Sequence, residues 1–63
     1  MRLLSSTCLA IAAAERSGTL RLVERVGRFG PYIALEDSHG LIEVALTRGE
    51  ADRRIADIRQ RVA

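Results

Sequence analysis

The sequence predicts an α+β fold of order α-β-β-β-α, a small three-stranded antiparallel sheet packed with two helices. Three observations point there. Apolar residues recur at helical spacing near both ends of the chain, and at a spacing of two through its middle. Glycine-bearing turns then divide that middle stretch into three runs. At 63 residues the chain is expected to form a single domain over 1–63. The expected parts are an N-terminal helix within 1–17, a meander over 19–46 and a C-terminal helix over 48–62.

The first helix is expected over residues 6–16. Leu4, Cys8, Ile11 and Ala12 share one face, flanked by Leu9 and Ala13. Ser5 or Ser6 suits the N-cap, three consecutive alanines favour helix, and Gly18 suits the stop. The same stretch has the outline of a signal peptide, Met1-Arg2 followed by an apolar run ending at Ala12-Ala13-Ala14. It falls short of the ~15–30 residues of such segments, and Ser5, Ser6 and Thr7 interrupt its apolar run. The segment is therefore read as structural and the protein as cytoplasmic.

From Thr19 the period becomes two. Leu20, Leu22 and Val26 alternate with Arg21 and Arg25, while Val23-Glu24 breaks the alternation and suggests a bulge or a strand with both faces partly covered. Gly27-Arg28-Phe29-Gly30-Pro31 reads as a turn. The second strand is expected over 32–36, with Ile33 and Leu35 facing one way and Tyr32 and Ala34 the other. Asp37-Ser38-His39-Gly40 is a second turn. The third strand is expected over 41–46, with Ile42, Val44 and Leu46 on the core face. Short turns imply an antiparallel meander.

Thr47-Arg48-Gly49-Glu50 has the spacing of a capping box and opens the last helix. Ala51, Ile55, Ile58 and Val62 make its apolar stripe. Glu50–Arg54, Arg53–Asp57 and Asp57–Arg61 stand at i,i+4 and are expected to pair. Whether both helices cover one sheet face, or the second serves dimerisation, is left open by the pattern.

Composition narrows the function. The hydrophobic share of 48% suits a globular domain rather than a disordered chain. A chain of this length buries only about 60% of its unfolded surface, so association with a partner or a second copy is a reasonable expectation. All ten basic residues are arginine and the net charge is +2. The arginine bias fits either a GC-rich coding genome or selection of guanidinium forks for phosphate and carboxylate. No run approaches the ~20 apolar residues of a membrane span.

No catalytic constellation is legible, and the chain is read as a non-enzyme. Cys8 and the single His39 stand in different elements with no second ligand near either, so neither a nucleophile–base pair nor a metal site is expected. The adjacent Glu36 and Asp37 point to opposite faces of a strand and do not form a working carboxylate pair. No phosphate-binding glycine loop is present, and no cofactor is expected.

Charge is segregated along the chain. Residues 16–31 carry four arginines and one glutamate, 32–47 three acids and no base, and 48–63 five arginines against three acids. The first strand and following turn therefore form a basic edge, and the only two aromatics, Phe29 and Tyr32, stand beside it. Arginine next to exposed rings suits a single-strand nucleic-acid platform, where guanidinium meets phosphate and rings stack on bases. The candidate nucleic-acid-binding residues are Arg21, Arg25, Arg28, Phe29 and Tyr32.

Gly27-Arg28-Phe29-Gly30-Pro31-Tyr32-Ile33 resembles the G-R-[FY]-G-P-Y-[VI] motif of the C-terminal repeats of bacterial type IA DNA topoisomerases. The order of strand, motif, strand, polar segment and helix also resembles that repeat, over about 40 of the 63 residues. Leu46-Thr47-Arg48-Gly49 stands in place of the family's Leu-Pro-Lys-Gly-like segment. The N-terminal helix has no counterpart there, and the chain carries one such unit. The resemblance implies a small antiparallel sheet crossed by a helix that holds single-stranded DNA. Arg28 would then contact phosphate or base, Phe29 and Tyr32 would stack or support the turn, and Arg21 and Arg25 would add basic contacts.

Two functional expectations follow. One is a nucleic-acid-binding module that prefers single-stranded DNA. The other is a small phage- or operon-encoded regulator or inhibitor acting by protein–protein interaction, with Phe29, Tyr32 and arginine as interface anchors. A sheet edge or helix pairing with a second copy would instead make it a homodimer.

Overall fold

The protein, represented by a computed structural model describing residues 5–62, has the order α1(Ser6–Ser17), β1(Arg21–Gly27), β2(Gly30–Asp37), β3(Gly40–Ala45) and α2(Arg48–Val62). The expected α-β-β-β-α order is thus observed. Leu4, expected on the first helix face, lies outside the described residues.

Each helix is closed by the chemistry its sequence supplies. Ser5 is the N-cap of α1, and its Oγ accepts from the Cys8 N–H at 3.1 Å. Gly18, with φ of 74°, ends the helix and donates its N–H back to the last turn. At α2, Thr47 Oγ1 accepts from the Glu50 N–H at 3.1 Å. Glu50 reaches back one residue beyond the usual box and accepts from the Leu46 N–H at 3.1 Å.

The strands form one antiparallel sheet of order β1-β2-β3. β1 and β2 pair without interruption from Arg21↔Glu36 to Gly27↔Gly30, so of the two expectations at Val23-Glu24 the bulge is absent, while Leu22 and Val23, on opposite faces, are each partly buried. The irregularity lies in the other ladder, where Leu35 pairs with Glu43 but Glu36 pairs with Leu41. Ile42 is the extra residue. It resets the parity of β3, which is why the expected inward set fails. Ile42 and Ala45 pack against the core, whereas Val44 and Leu46 are exposed.

Both helices pack on the same face of the sheet, over β2 and β3. The core joins Cys8 and Ile11 of α1, Ile33 and Leu35 of β2, and Ala51, Ile55 and Ile58 of α2. Leu35, Ile11 and Ile58 are its largest fully buried side chains, each worth about 1.5–3 kcal/mol of transfer free energy. On α1 the inward positions are 8, 11 and 14, so Ala14 is buried while Leu9 and Ala13 are exposed.

Charged groups join the elements differently from the expected helix pairs. Asp57–Arg61 forms at 2.9 Å, and Arg48–Asp52 adds a second i,i+4 pair at 3.3 Å. Neither Glu50–Arg54 nor Arg53–Asp57 forms. Glu50 is occupied in capping, and Arg54 faces the sheet, where it binds Glu43 through Nε and Nη2 at 2.9 and 3.1 Å. Arg59 Nε bonds both carboxylate oxygens of Glu15, at 2.9 and 2.8 Å, and so ties α2 to α1.

Candidate functional site

Because the helices occupy one sheet face, the other is open among the described residues. Strand alternation and register place three rows of side chains across it from β1 to β3. Arg21, Glu36 and Leu41 form one row, and Val23, Ala34 and Val44 the next. Arg25 and Tyr32 form the third, which Leu46 continues just beyond β3. The β1 column is basic, the β3 column is apolar, and Tyr32 stands between them. Ala34 has no exposed surface even though no helix covers it, being the small residue between Val23 and Val44.

The hairpin tip lies at one end of this face. Gly27↔Gly30 closes it around the two-residue turn Arg28-Phe29, so the turn is tighter than the expected five residues. Neither tip residue has a positive φ; Gly30 takes φ of 116° in their place, a value glycine adopts readily and other residues rarely do. Pro31 then sits in the central strand without costing a ladder bond. Next to the closing pair, Val26↔Pro31 is a non-hydrogen-bonded pair, whose nitrogen points away from β1. On its other side β3 pairs only from Ile33↔Ala45 onward, so no acceptor is left waiting.

The geometry places the five candidate residues unequally. Phe29 is 98% exposed and Arg28 is exposed beside it. Tyr32 is half-buried, with its ring laid against Gly27. Gly27, Arg28, Phe29, Pro31, Tyr32, Val44 and Leu46 line a shallow groove of about 290 Å³ at this end of the open face. Arg21 stands apart at the far end of β1.

Arg25 differs from the other arginines of the site. Its Nε donates to Glu36 Oε2 at 2.8 Å, diagonally across the open face. The Glu36 carboxyl, 11% exposed, is held below the usual carboxylate range by that bond and by the charges of Arg25 and Arg21. Arg25 therefore has one charge-assisted bond already made, whereas Arg21 and Arg28 take part in no ion pair among the described residues. Glu36 was visible in the sequence, but the register sets it opposite Arg21, so its bond from Arg25 emerges only from the side-chain geometry.

A second cluster lies between the helices and β3. Arg54 Nη2 stands 3.4 Å from Cys8 Sγ while its fork holds Glu43. A hydrogen bond with Ser5, then the charge and hydrogen bond of Arg54, lower the Cys8 thiol against the opposing effect of burial. With Cys8 only 5% exposed, this network reads as a polar seam of the core. Among the described residues no group of three or more His, Cys, Asp or Glu is placed to hold a metal ion. No described helix is long and apolar enough to cross a membrane.

No family model, curated protein or solved structure matches this chain.

Proposed function

We propose that the protein binds single-stranded nucleic acid along the open sheet face and hairpin tip. The observation that carries this reading is the pairing of Arg28 with the fully exposed Phe29 at the tip, beside Tyr32. An exposed phenylalanine does nothing for the fold, and its ring is available to stack on a base. Charge supports the same partner. The open face and tip carry three arginines against one glutamate, a net of +2, and Glu24 belongs to the opposite side of β1.

The division of the face into columns suggests the pose. Phosphates follow the β1 edge past Arg25 and Arg28, while bases lie inward over Tyr32 and the Val44–Leu46 strip. The likeness of Gly27–Ile33 to the topoisomerase repeat is a further argument for unpaired DNA. Bases in a duplex are already stacked on each other, so stacking on exposed rings favours single strands. The reaction needed of the protein is binding alone.

Fluorescence anisotropy with a labelled single-stranded oligonucleotide tests the proposal. Binding is expected at low salt, weaker binding with Phe29→Ala or Tyr32→Ala, and weaker binding again to a duplex of the same length. No change in anisotropy at low salt would refute it.

A second reading has its own observation. Leu41, Val44 and Leu46 are 61%, 52% and 74% exposed, an apolar column more typical of a protein contact than of a phosphate track. On this reading the protein is a small interaction module, with Phe29 and Tyr32 as anchors.

A further inference from the structure

The sheet has two edges of opposite character. The β1 edge carries Arg21, Glu24 and Arg25, the charged residues with which edge strands resist pairing. Among the described residues the β3 edge has no such protection. Its exposed side chains are Leu41, Val44 and Leu46, and its one charged residue, Glu43, is turned to the helices and held by Nε and Nη2 of Arg54. The bulge at Ile42 is what sends Val44 and Leu46 outward together instead of into the core. A small domain that leaves its apolar strand at an unpaired edge presents both backbone and side-chain reasons to be covered.

We infer that β3 pairs antiparallel with β3 of a second copy, joining two sheets into one of six strands. A second copy supplies a matching edge, apolar and with its one charge already bound. A two-fold axis through Val44 sets Val44 opposite its own equivalent and Ala45 opposite Glu43; past Glu43 the bulge at Ile42 puts Leu41, not Ile42, on the face that Leu46 shares. No like charges then face each other across the junction, and the apolar columns of both copies merge into one strip. The same operation at the β1 edge would bring two arginine-bearing columns together, which like-charge repulsion opposes.

The inference stands without the nucleic-acid reading but adds to it. In the six-stranded sheet both open faces point the same way, with the basic β1 columns on the two outer edges. At ~4.8 Å per strand the two Tyr32 columns lie about 14 Å apart, with a hairpin tip at each end of the assembly. One strand could then engage two weak sites at once, which raises avidity without any new contact.

The test is the mass in solution by light scattering across a dilution series, without nucleic acid, joined to amide hydrogen exchange. The protein is expected at twice its 6.9 kDa chain mass, with β3 amides protected. Val44→Lys should yield a monomer of unchanged circular dichroism, and its β3 amides should exchange faster. Leu9→Lys, an equally exposed apolar site on α1, should leave the dimer intact. A monomer at every attainable concentration, an open-ended polymer, or a dimer that survives Val44→Lys would overturn the inference. So would a dimer whose β3 amides exchange as fast as those of the monomeric variant. Since the mass is read without nucleic acid, failure here leaves the binding proposal standing, and failure of binding leaves the dimer standing.

Discussion

The ring of Tyr32 lies across the backbone of Gly27: a Cβ placed on Gly27 would stand 3.1 Å from Tyr32 Cε1. The two residues are diagonal neighbours across the β1–β2 ladder, two positions from direct opposition. The missing side chain at Gly27 leaves room for the Cδ1–Cε1 edge of the ring next to the tip. Tyr32 is the only tyrosine and the chain has no tryptophan, so intrinsic fluorescence reports on this ring alone.

Gly27→Ala should therefore move the ring while sparing the core. Its stability is expected to stay within about 1 kcal/mol of the parent, because the site is far from the buried residues. Tyrosine emission should change, and single-strand affinity should fall on the order of tenfold, in line with the loss of one base stack. Unchanged emission together with unchanged affinity would show that the ring's placement on Gly27 is immaterial.

Stability and binding should separate cleanly between two other positions. Leu35→Ala removes a fully buried side chain where α1, α2 and β2 meet, and should cost about 2–5 kcal/mol in urea unfolding. Phe29→Ala removes a ring with almost no buried surface and should change stability by no more than about 0.5 kcal/mol. A large unfolding penalty at Phe29 would mean that the ring packs in solution and is not available for stacking.

Acid should weaken the fold in part through the open face. The Glu36 carboxyl is lowered in the folded state by its bond from Arg25 and by the charges of Arg25 and Arg21. A depressed carboxyl contributes stability that is fully present above its unfolded value, about 4.3, and is lost as pH falls through the folded one. Glu15 behaves alike because of Arg59. Thermal melts of Glu36→Gln and Glu15→Gln should each show a shallower loss of melting temperature on acidification below that value than the parent. Parallel profiles for all three proteins would remove this ion pairing from the account.

Much of the fold was legible in the sequence, because caps and turns depend on local chemistry. Ser5, Gly18, Thr47 with Glu50, and the two glycine turns fixed where elements begin and end to within a residue or two. Periodicity set Ile33 and Leu35 on one face and Tyr32 and Ala34 on the other, and the helices cover the first. It failed on β3, because a bulge depends on how two strands meet and leaves no mark in either strand alone. The inward set moved from Ile42, Val44 and Leu46 to Ile42 and Ala45. The same limit hid the long-range partners of Arg25, Arg54 and Arg59, which lie 11, 11 and 44 residues away. For the candidate site, the tip residues could be read from composition, whereas the apolar column beside them could not.

The central claim is that Arg28 and the neighbouring rings hold a single strand by its phosphates and bases. Its most direct test is the dissociation constant for a labelled single-stranded oligonucleotide, measured over a range of salt for the parent and for Arg28→Ala. Log affinity is expected to fall linearly with log salt, and Arg28→Ala to flatten the slope by about 0.7, the value of one neutralised phosphate on a single strand. Affinity that ignores salt, or an Arg28→Ala line that superimposes on the parent's, would contradict it.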